Sequence, residues 1–285
     1  MTRIRRLLVV ALAAWVVVLT AQNRPARIVS IVPALTEALF SMGAGPRVVG
    51  VGSFDRHPAE VETLPKVGGL IDPDMEQIIA LTPDLVVLYG SQEDQVAQLE
   101  RAGISVFVYA HGGLTDTLAT IRELGGRTGQ DVPADALADR IADQIAQVRS
   151  RIAERPRPRV MLVFGREPGT LSNVYASGGL GFLHDMVEAA GGDNVFSDVA
   201  RESVQLSSES MLTAAPDIII ELSYDERMTP DRQAAEREVW NRLRAIPAVQ
   251  AGRVHLLLGN EFVQPGPRMG DATEAIARAV HPEAF

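Results

Sequence analysis

From Arg27 onward, short β-branched runs alternate with stretches whose apolar positions recur every three or four residues. Ile28 to Val32 is a brief, almost wholly apolar run of the kind a buried strand needs, and Thr36 to Met42 reads as a helix closed by Gly43. The pattern continues with a strand at Val48 to Val51, a helix at Met75 to Leu81 that stops before Pro83, and a strand at Leu85 to Tyr89. A helix at Gln92 to Ala102, ended by Gly103, leads to a strand at Val106 to Tyr109. Helices between successive strands require crossover connections, so a mostly parallel α/β sheet is predicted.

The second half follows the same order. Strands are predicted at Val160 to Phe164, Ile218 to Leu222 and Val254 to Leu258, and helices at Gly181 to Ala190, Met211 to Ala214 and Glu236 to Ala245. The match extends to residues. Glu76 and Asp84 in "MEQIIALTPDLVV" recur at the same spacing as Glu209 and Asp217 in "SESMLTAAPDIII". "GAGPRVVG" (43–50) resembles "AGGDNVFS" (190–197), and "AGISVFVY" (102–109) resembles "AGRVHLLL" (251–258). Similar segments in the same order point to two homologous lobes. Between them, Ala134 to Glu154 carries no Gly or Pro and keeps one apolar face, a helical rod of roughly 30 Å. The predicted fold is α/β, two Rossmann-like lobes with mostly parallel sheets joined by one long rigid helix. The first lobe occupies 22–112, a helical segment with the long helix 113–158, and the second lobe 159–285.

The first 21 residues differ from the rest. Arg3, Arg5 and Arg6 precede an apolar run from Leu7 to Leu19, shorter than the ~20 residues that span a bilayer and matched to a secretory signal. Residues 1–21 are therefore expected to direct export, with cleavage after Ala21 or retention as an amino-terminal anchor as the two alternatives. The charge balance, 27 basic against 36 acidic residues for a net −9, argues against nucleic-acid binding through a broad basic surface. With no cysteine, disulfides, thiolate metal sites and cysteine nucleophiles are excluded. The five histidines form no i,i+3 or i,i+4 pair, and no Walker A, G-x-S-x-G or H-E-x-x-H segment is present. No catalytic residue and no protein-held metal is assigned.

Several segments then carry a family resemblance. "RIVSIVPALTEALFSMGAGPRVVGV" (27–51), "LPKVGGLIDPDMEQIIALTPDLVV" (64–87), "GGDNVFSD" (191–198), "VQLSSESMLTAAPDIII" (204–220), "AGRVHLL" (251–257) and "PGPR" (265–268) resemble the helical-backbone substrate-binding proteins of ABC importers. That family serves vitamin B12, ferric siderophores and haem, and the vitamin B12 branch is the nearest in appearance. The resemblance implies a monomer, not an enzyme, that binds ligand between its lobes outside the cytoplasm. It would deliver cobalamin, or alternatively a ferric siderophore or haem, to a permease and through it to ATPase subunits. Glu76 and Glu209 match the glutamates that such proteins present to the permease. Both also fit a first helical turn, where the dipole favours acid behind Asp74 or Ser207 as N-cap.

Cleft residues are expected in loops after strands. Phe54, Arg56 and His57 follow the second strand and Tyr89 ends the next; in the other half Arg166, Tyr175, Arg201 and Arg268 are the comparable candidates. Aromatic faces suit a flat macrocycle and arginine forks suit its amide or carboxylate rim. By resemblance, Phe54 and Tyr89 fall where the vitamin B12 receptor has aromatics, and Arg268 where the family has a cleft arginine. Leu70 and Ser203 depart from that receptor, which has tryptophans there. His57 is open to two readings, a structural histidine before Pro58 or an axial ligand to the metal of the cargo.

Overall fold

The computed structural model describes residues 24–285, so the expected export signal lies outside the described residues. The first lobe runs β1 (Ile28–Ser30), α1 (Pro33–Ser41), β2 (Val48–Val51), α2 (Met75–Ala80), β3 (Leu85–Tyr89), α3 (Glu93–Arg101) and β4 (Ser105–Tyr109). Its sheet has the order β2-β1-β3-β4 with every pairing parallel. Two helices follow, α4 (Leu114–Thr128) and α5 (Asp131–Ile152). The second lobe contains β5 (Arg159–Gly165), β6 (Val174–Ser177), α6 (Gly181–Ala189), β7 (Asp193–Asn194), β8 (Ser203–Leu206), α7 (Ser208–Ala214) and β9 (Ile218–Ser223). It ends with α8 (Pro230–Glu238), α9 (Pro247–Gln250), β10 (Val254–Leu258) and α10 (Met269–Val280).

The internal repeat is a repeat of topology. Strand β5 is flanked by β7 and β9, and β9 by β10, all parallel, which reproduces the β2-β1-β3-β4 order. Strands β6 and β8 extend this second sheet in antiparallel fashion. The recurring aspartates have a structural cause. Asp84 Oδ2 accepts from the amides of Ala26 and Arg27 at 2.7 and 2.9 Å, while Arg27 Nη2 donates to Leu81 O at 2.6 Å. In the second lobe Asp217 Oδ2 accepts from the Arg159 amide at 2.9 Å, and Arg159 Nη2 donates to Ala214 O at 2.8 Å. Each aspartate stands just before a central strand and fastens the start of its neighbour.

Helix α5 is 22 residues, about 33 Å, long. Its start precedes the sequence expectation because Pro133 sits in the first turn, where no amide hydrogen bond is needed. Gly125 of α4 leaves room for it, since a Cβ there would lie 2.2 Å from Ala134 Cβ. The buried stripe Leu137, Ile141, Ile145, Val148 and Ile152 joins one apolar cluster with Leu35 and Leu39 of the first lobe and Leu162 and Ile276 of the second. The helix expected at Glu236 to Ala245 begins earlier. Thr229 Oγ1 caps the Arg232 amide at 3.4 Å, Pro230 opens α8, and a 3₁₀ turn at Val239–Leu243 follows.

Removing these fastenings should scale with the amides orphaned. Asp84→Ala should cost about 2 kcal/mol and Asp217→Ala about 1 kcal/mol in denaturant unfolding, with the double variant close to additive. Equal costs would show that backbone capping is not what the aspartates contribute.

Candidate functional site

A cavity of about 1050 Å³ opens between the lobes. Every strand of the first sheet delivers residues to it at its carboxyl end: Ile31 to Ala34 after β1, Phe54, Arg56 and His57 after β2, Tyr89 from β3, and Tyr109 and His111 at the end of β4. The second lobe faces them with Tyr224 to Arg227 after β9, and Asn260 with Val263 to Pro265 after β10. A ligand crevice at the carboxyl ends of parallel strands is what an open α/β sheet provides.

The walls are aromatic and apolar where they are most exposed. Phe54 is 66% exposed, Tyr224 59% and Ile71 94%, all on the cavity surface. Tyr89, Tyr109 and His111 form a cluster in which Tyr89 lies at 27° to the imidazole with centroids 5.8 Å apart. Tyr109 meets that imidazole edge-on at 5.0 Å. Burial pushes the Tyr89 phenol up to about 12 and Tyr109 further, so both remain neutral donors. The lip formed by Leu70 and Ile71 is held from behind by Gln92, which is buried. Its Oε1 accepts from the Tyr89 amide and its Nε2 donates to Leu70 O, each at 3.0 Å. Gly68 makes the tight approach to this lip at φ +82°, where a Cβ would sit 2.2 Å from Asp72 O.

The rim is acidic. Arg56 and Arg227 are outnumbered by Glu62, Asp72, Asp225 and Glu226. Across the mouth, His57 Nε2 stands 3.8 Å from Glu226 Oε1, linking the loops of opposite lobes.

Phe54, Arg56, His57 and Tyr89 thus line one cavity, whereas Arg166, Tyr175, Arg201 and Arg268 are not among its lining residues. The Arg166 side chain is 3% exposed and salt-bridged to Glu221 at 2.9 Å and Glu236 at 2.8 Å. Trp240 Nε1 donates to the same Glu221 at 2.9 Å. Arg166 therefore neutralises two acids that would otherwise be buried unpaired, and has no fork left for a ligand. Arg268 donates twice to Glu37, at 2.9 and 2.7 Å, and to Glu261 at 2.7 Å, which joins the lobes instead of lining the cleft. Tyr175 lies on β6 between β5 and β8, and Arg201 is exposed in the turn before β8. The sequence reading in turn missed Tyr109, His111, Tyr224 and Arg227. All of them end or follow a strand, the same signal that located Phe54.

Glu76 and Glu209 occupy equivalent places, each exposed in the first turn of its helix. Asp74 Oδ1 accepts from the Gln77 amide at 2.9 Å, and Ser207 Oγ from the Ser210 amide at 3.1 Å. The caps are thus formed by neighbours, and neither glutamate has an ion-pair partner among the described residues.

Beneath the cleft lies Asp55, fully buried, with no hydrogen-bond partner for either carboxylate oxygen among the described residues. Burial raises its carboxyl to about 7, with the nearby Thr36 hydroxyl and Lys66 ammonium pulling the other way. No group of three or more metal-ligating side chains occurs among the described residues, and no described helix is long and apolar enough to cross a membrane.

A family model described as periplasmic binding protein matches residues 28–259. An uncharacterized ABC transporter substrate-binding lipoprotein of Bacillus subtilis is 26% identical over 274 residues, covering 93% of this chain and 83% of that one. A vitamin B12-binding protein of Salmonella typhimurium is 28% identical over 256 residues, covering 89% and 90%. The solved structure of a periplasmic haem-binding protein from Roseiflexus superposes with a TM-score of 0.77 at 26% identity, over 91% of this chain and 99% of that one.

The Asp55 carboxyl makes stability depend on pH in a defined direction. Its folded value, about 7, lies above the unfolded 3.8, so the folded state holds the extra proton between them and loses stability as pH rises through that window. Asp55→Asn should therefore stabilise by about 2–4 kcal/mol at pH 8 and by far less at pH 4. Denaturant unfolding of both proteins at the two pH values checks this; a pH-independent difference would mean that Asp55 does not titrate in this window.

Proposed function

The chain belongs to the periplasmic binding protein family, and from that premise we propose that it captures cobalamin or a related corrinoid between its lobes. It is a substrate-binding protein of an ABC transporter, as its relatives are, and not an enzyme. The corrinoid assignment is our reading, and one observation carries it: an aromatic cleft whose rim has two arginines against four carboxylates. Such a rim repels the carboxylate edge of haem and the negative charge of many ferric siderophores, but accepts a neutral macrocycle edged with amides. The withdrawal of Arg166 and Arg268 into ion pairs removes the cations that an anionic chelate would use. The vitamin B12-binding relative supports the same ligand. A haem or ferric-siderophore reading draws on the haem-binding relative and on Arg56 and Arg227.

On this reading the protein is exported, with residues 1–21 as its signal, and works as a monomer. Glu76 and Glu209, one on each lobe and each without an ion-pair partner among the described residues, dock on basic residues of the permease.

Calorimetric titration of the purified protein should give saturable one-to-one binding of cyanocobalamin and weaker or no binding of haemin. Phe54→Ala should weaken the corrinoid by about 1–3 kcal/mol through loss of a stacked face. Saturation by haemin with no heat from cyanocobalamin would move the assignment to iron uptake. Separately, a Glu76→Arg, Glu209→Arg double variant should abolish importer-dependent uptake while leaving ligand affinity unchanged. Uptake that survives the reversal would remove these residues from the docking surface.

A further inference from the structure

We propose that Gly69 is a specificity-determining residue of the cleft: its bare backbone is the seat of the Phe54 ring and fixes the aromatic face that the cargo meets. The inference rests on the corrinoid reading, in which Phe54 stacks on the macrocycle, and assigns the group that positions it.

Phe54 differs from the other aromatics of its wall. Tyr89, Tyr109 and His111 hold one another, whereas Phe54 pairs with no other ring and joins no apolar cluster among the described residues. Being 66% exposed, it takes its orientation from few contacts. One of them is Gly69, which is buried in the lip. A Cβ on Gly69 would lie 3.1 Å from Cε2 and 3.3 Å from Cδ2 of the ring, nearer than carbon atoms at their optimal separation. The ring thus sets one edge against the glycine and keeps its faces free for stacking.

The two neighbouring glycines have different causes. Gly68 has φ +82°, a conformation that favours glycine in itself. Gly69 has no such φ, so its backbone would accept a side chain, and the space that side chain needs is the space Phe54 fills. Nor is the lip free to retreat. The Ser53 amide donates to Gly68 O at 2.7 Å, and the Asp74 amide to Val67 O at 2.9 Å. From behind, Gln92 Nε2 donates to Leu70 O at 3.0 Å and to Gly69 O at 3.5 Å, while its Oε1 accepts from the Tyr89 amide at 3.0 Å. Ring, glycine, buried amide and strand β3 therefore stand in series, with Gln92 as the stop. A side chain at position 69 must displace the ring and not the loop. A ring lifted off the lip takes up cavity space and loses its set orientation, so glycine here favours a broad, flat cargo.

The probe is cyanocobalamin, titrated calorimetrically into the purified protein and its variants. Gly69→Val should weaken binding by on the order of tenfold, the loss of an oriented aromatic face, and Gly69→Ala by less. In the Phe54→Ala protein, where no ring remains to be displaced, Gly69→Val should change affinity by less than about twofold. That dependence on Phe54 is what a merely structural glycine would not show; should Gly69→Val fail to fold, Gly69→Ala carries the same comparison. Unchanged or tighter binding by the Gly69 variants, or an equal loss with and without the Phe54 ring, overturns the proposal and leaves the corrinoid reading intact. Unchanged affinity in Phe54→Ala alone also overturns it, because the seated ring then meets no cargo. Absence of cyanocobalamin binding by the unsubstituted protein brings down both readings.

Discussion

The two-pronged bond between Arg268 and Glu37 is the constraint on which the cleft depends. Glu37 belongs to α1 of the first lobe and Arg268 precedes α10 of the second, so their pair, with Glu261 on the remaining nitrogen, ties the lobes together at the join. A planar guanidinium fixes direction as well as distance, because both prongs must be met together. Behind it, α5 belongs to an apolar cluster shared by both lobes. Opening such a molecule as two independent bodies would expose part of that cluster to water and separate a largely buried charge pair. Separation of the lobes is therefore opposed by the ion pair and the shared apolar cluster, which together hold the two walls of the cavity at a set spacing.

That preorganisation gives the loops their importance. The sheet ends are fixed by hydrogen bonds that recur in each lobe, Asp84 with Arg27 and Asp217 with Arg159, so the strands enter the cleft in set positions. What varies is what each strand carries beyond its end. In the first lobe the cargo is aromatic, with Phe54, Tyr89 and Tyr109 around one wall. In the second it is a single aromatic, Tyr224, amid Asp225, Glu226 and Arg227. The two lobes share a scaffold but line the cavity differently: most of the aromatic area comes from the first, while the charged border is divided equally, Arg56, Glu62 and Asp72 from one and Asp225, Glu226 and Arg227 from the other.

Most of the scaffold was legible in the sequence because it rests on local pattern. The β-branched runs, the glycine stops and the repeat of Glu76 to Asp84 in Glu209 to Asp217 locate elements whose stability is decided nearby. The arginines were not legible in the same way. Arg56, Arg166 and Arg268 look equivalent along the chain, and only the fold shows that two of them meet acids 55 and 231 residues distant. A signal did exist on the other side of each pair. Glu221 interrupts the run Ile218 to Leu222, and Glu37 interrupts the apolar face of α1; an acid inside an apolar element requires a buried cation. Strands β6 and β8 escaped because Tyr175 and Gln205 are exposed within four-residue segments, too short for alternation to register.

The cavity lip and the surface bearing Glu76 are covalently close in the first lobe. Leu70 and Ile71 form the lip of the cleft, and Asp74, which closes the same loop through its amide to Val67 O at 2.9 Å, caps the helix that carries Glu76. Gln92 fastens Leu70 O to the end of β3, where Tyr89 lines the cavity. A force on Tyr89 and Leu70 thus acts on both anchors of a loop only a few residues long. Nothing similar joins Glu209 to the cavity, because α7 follows β8, and no residue of either element is on the cavity wall. Displacement of the lip is therefore coupled to the helix that carries Glu76, while α7 is tied to the second sheet through Arg159 and Ala214 O.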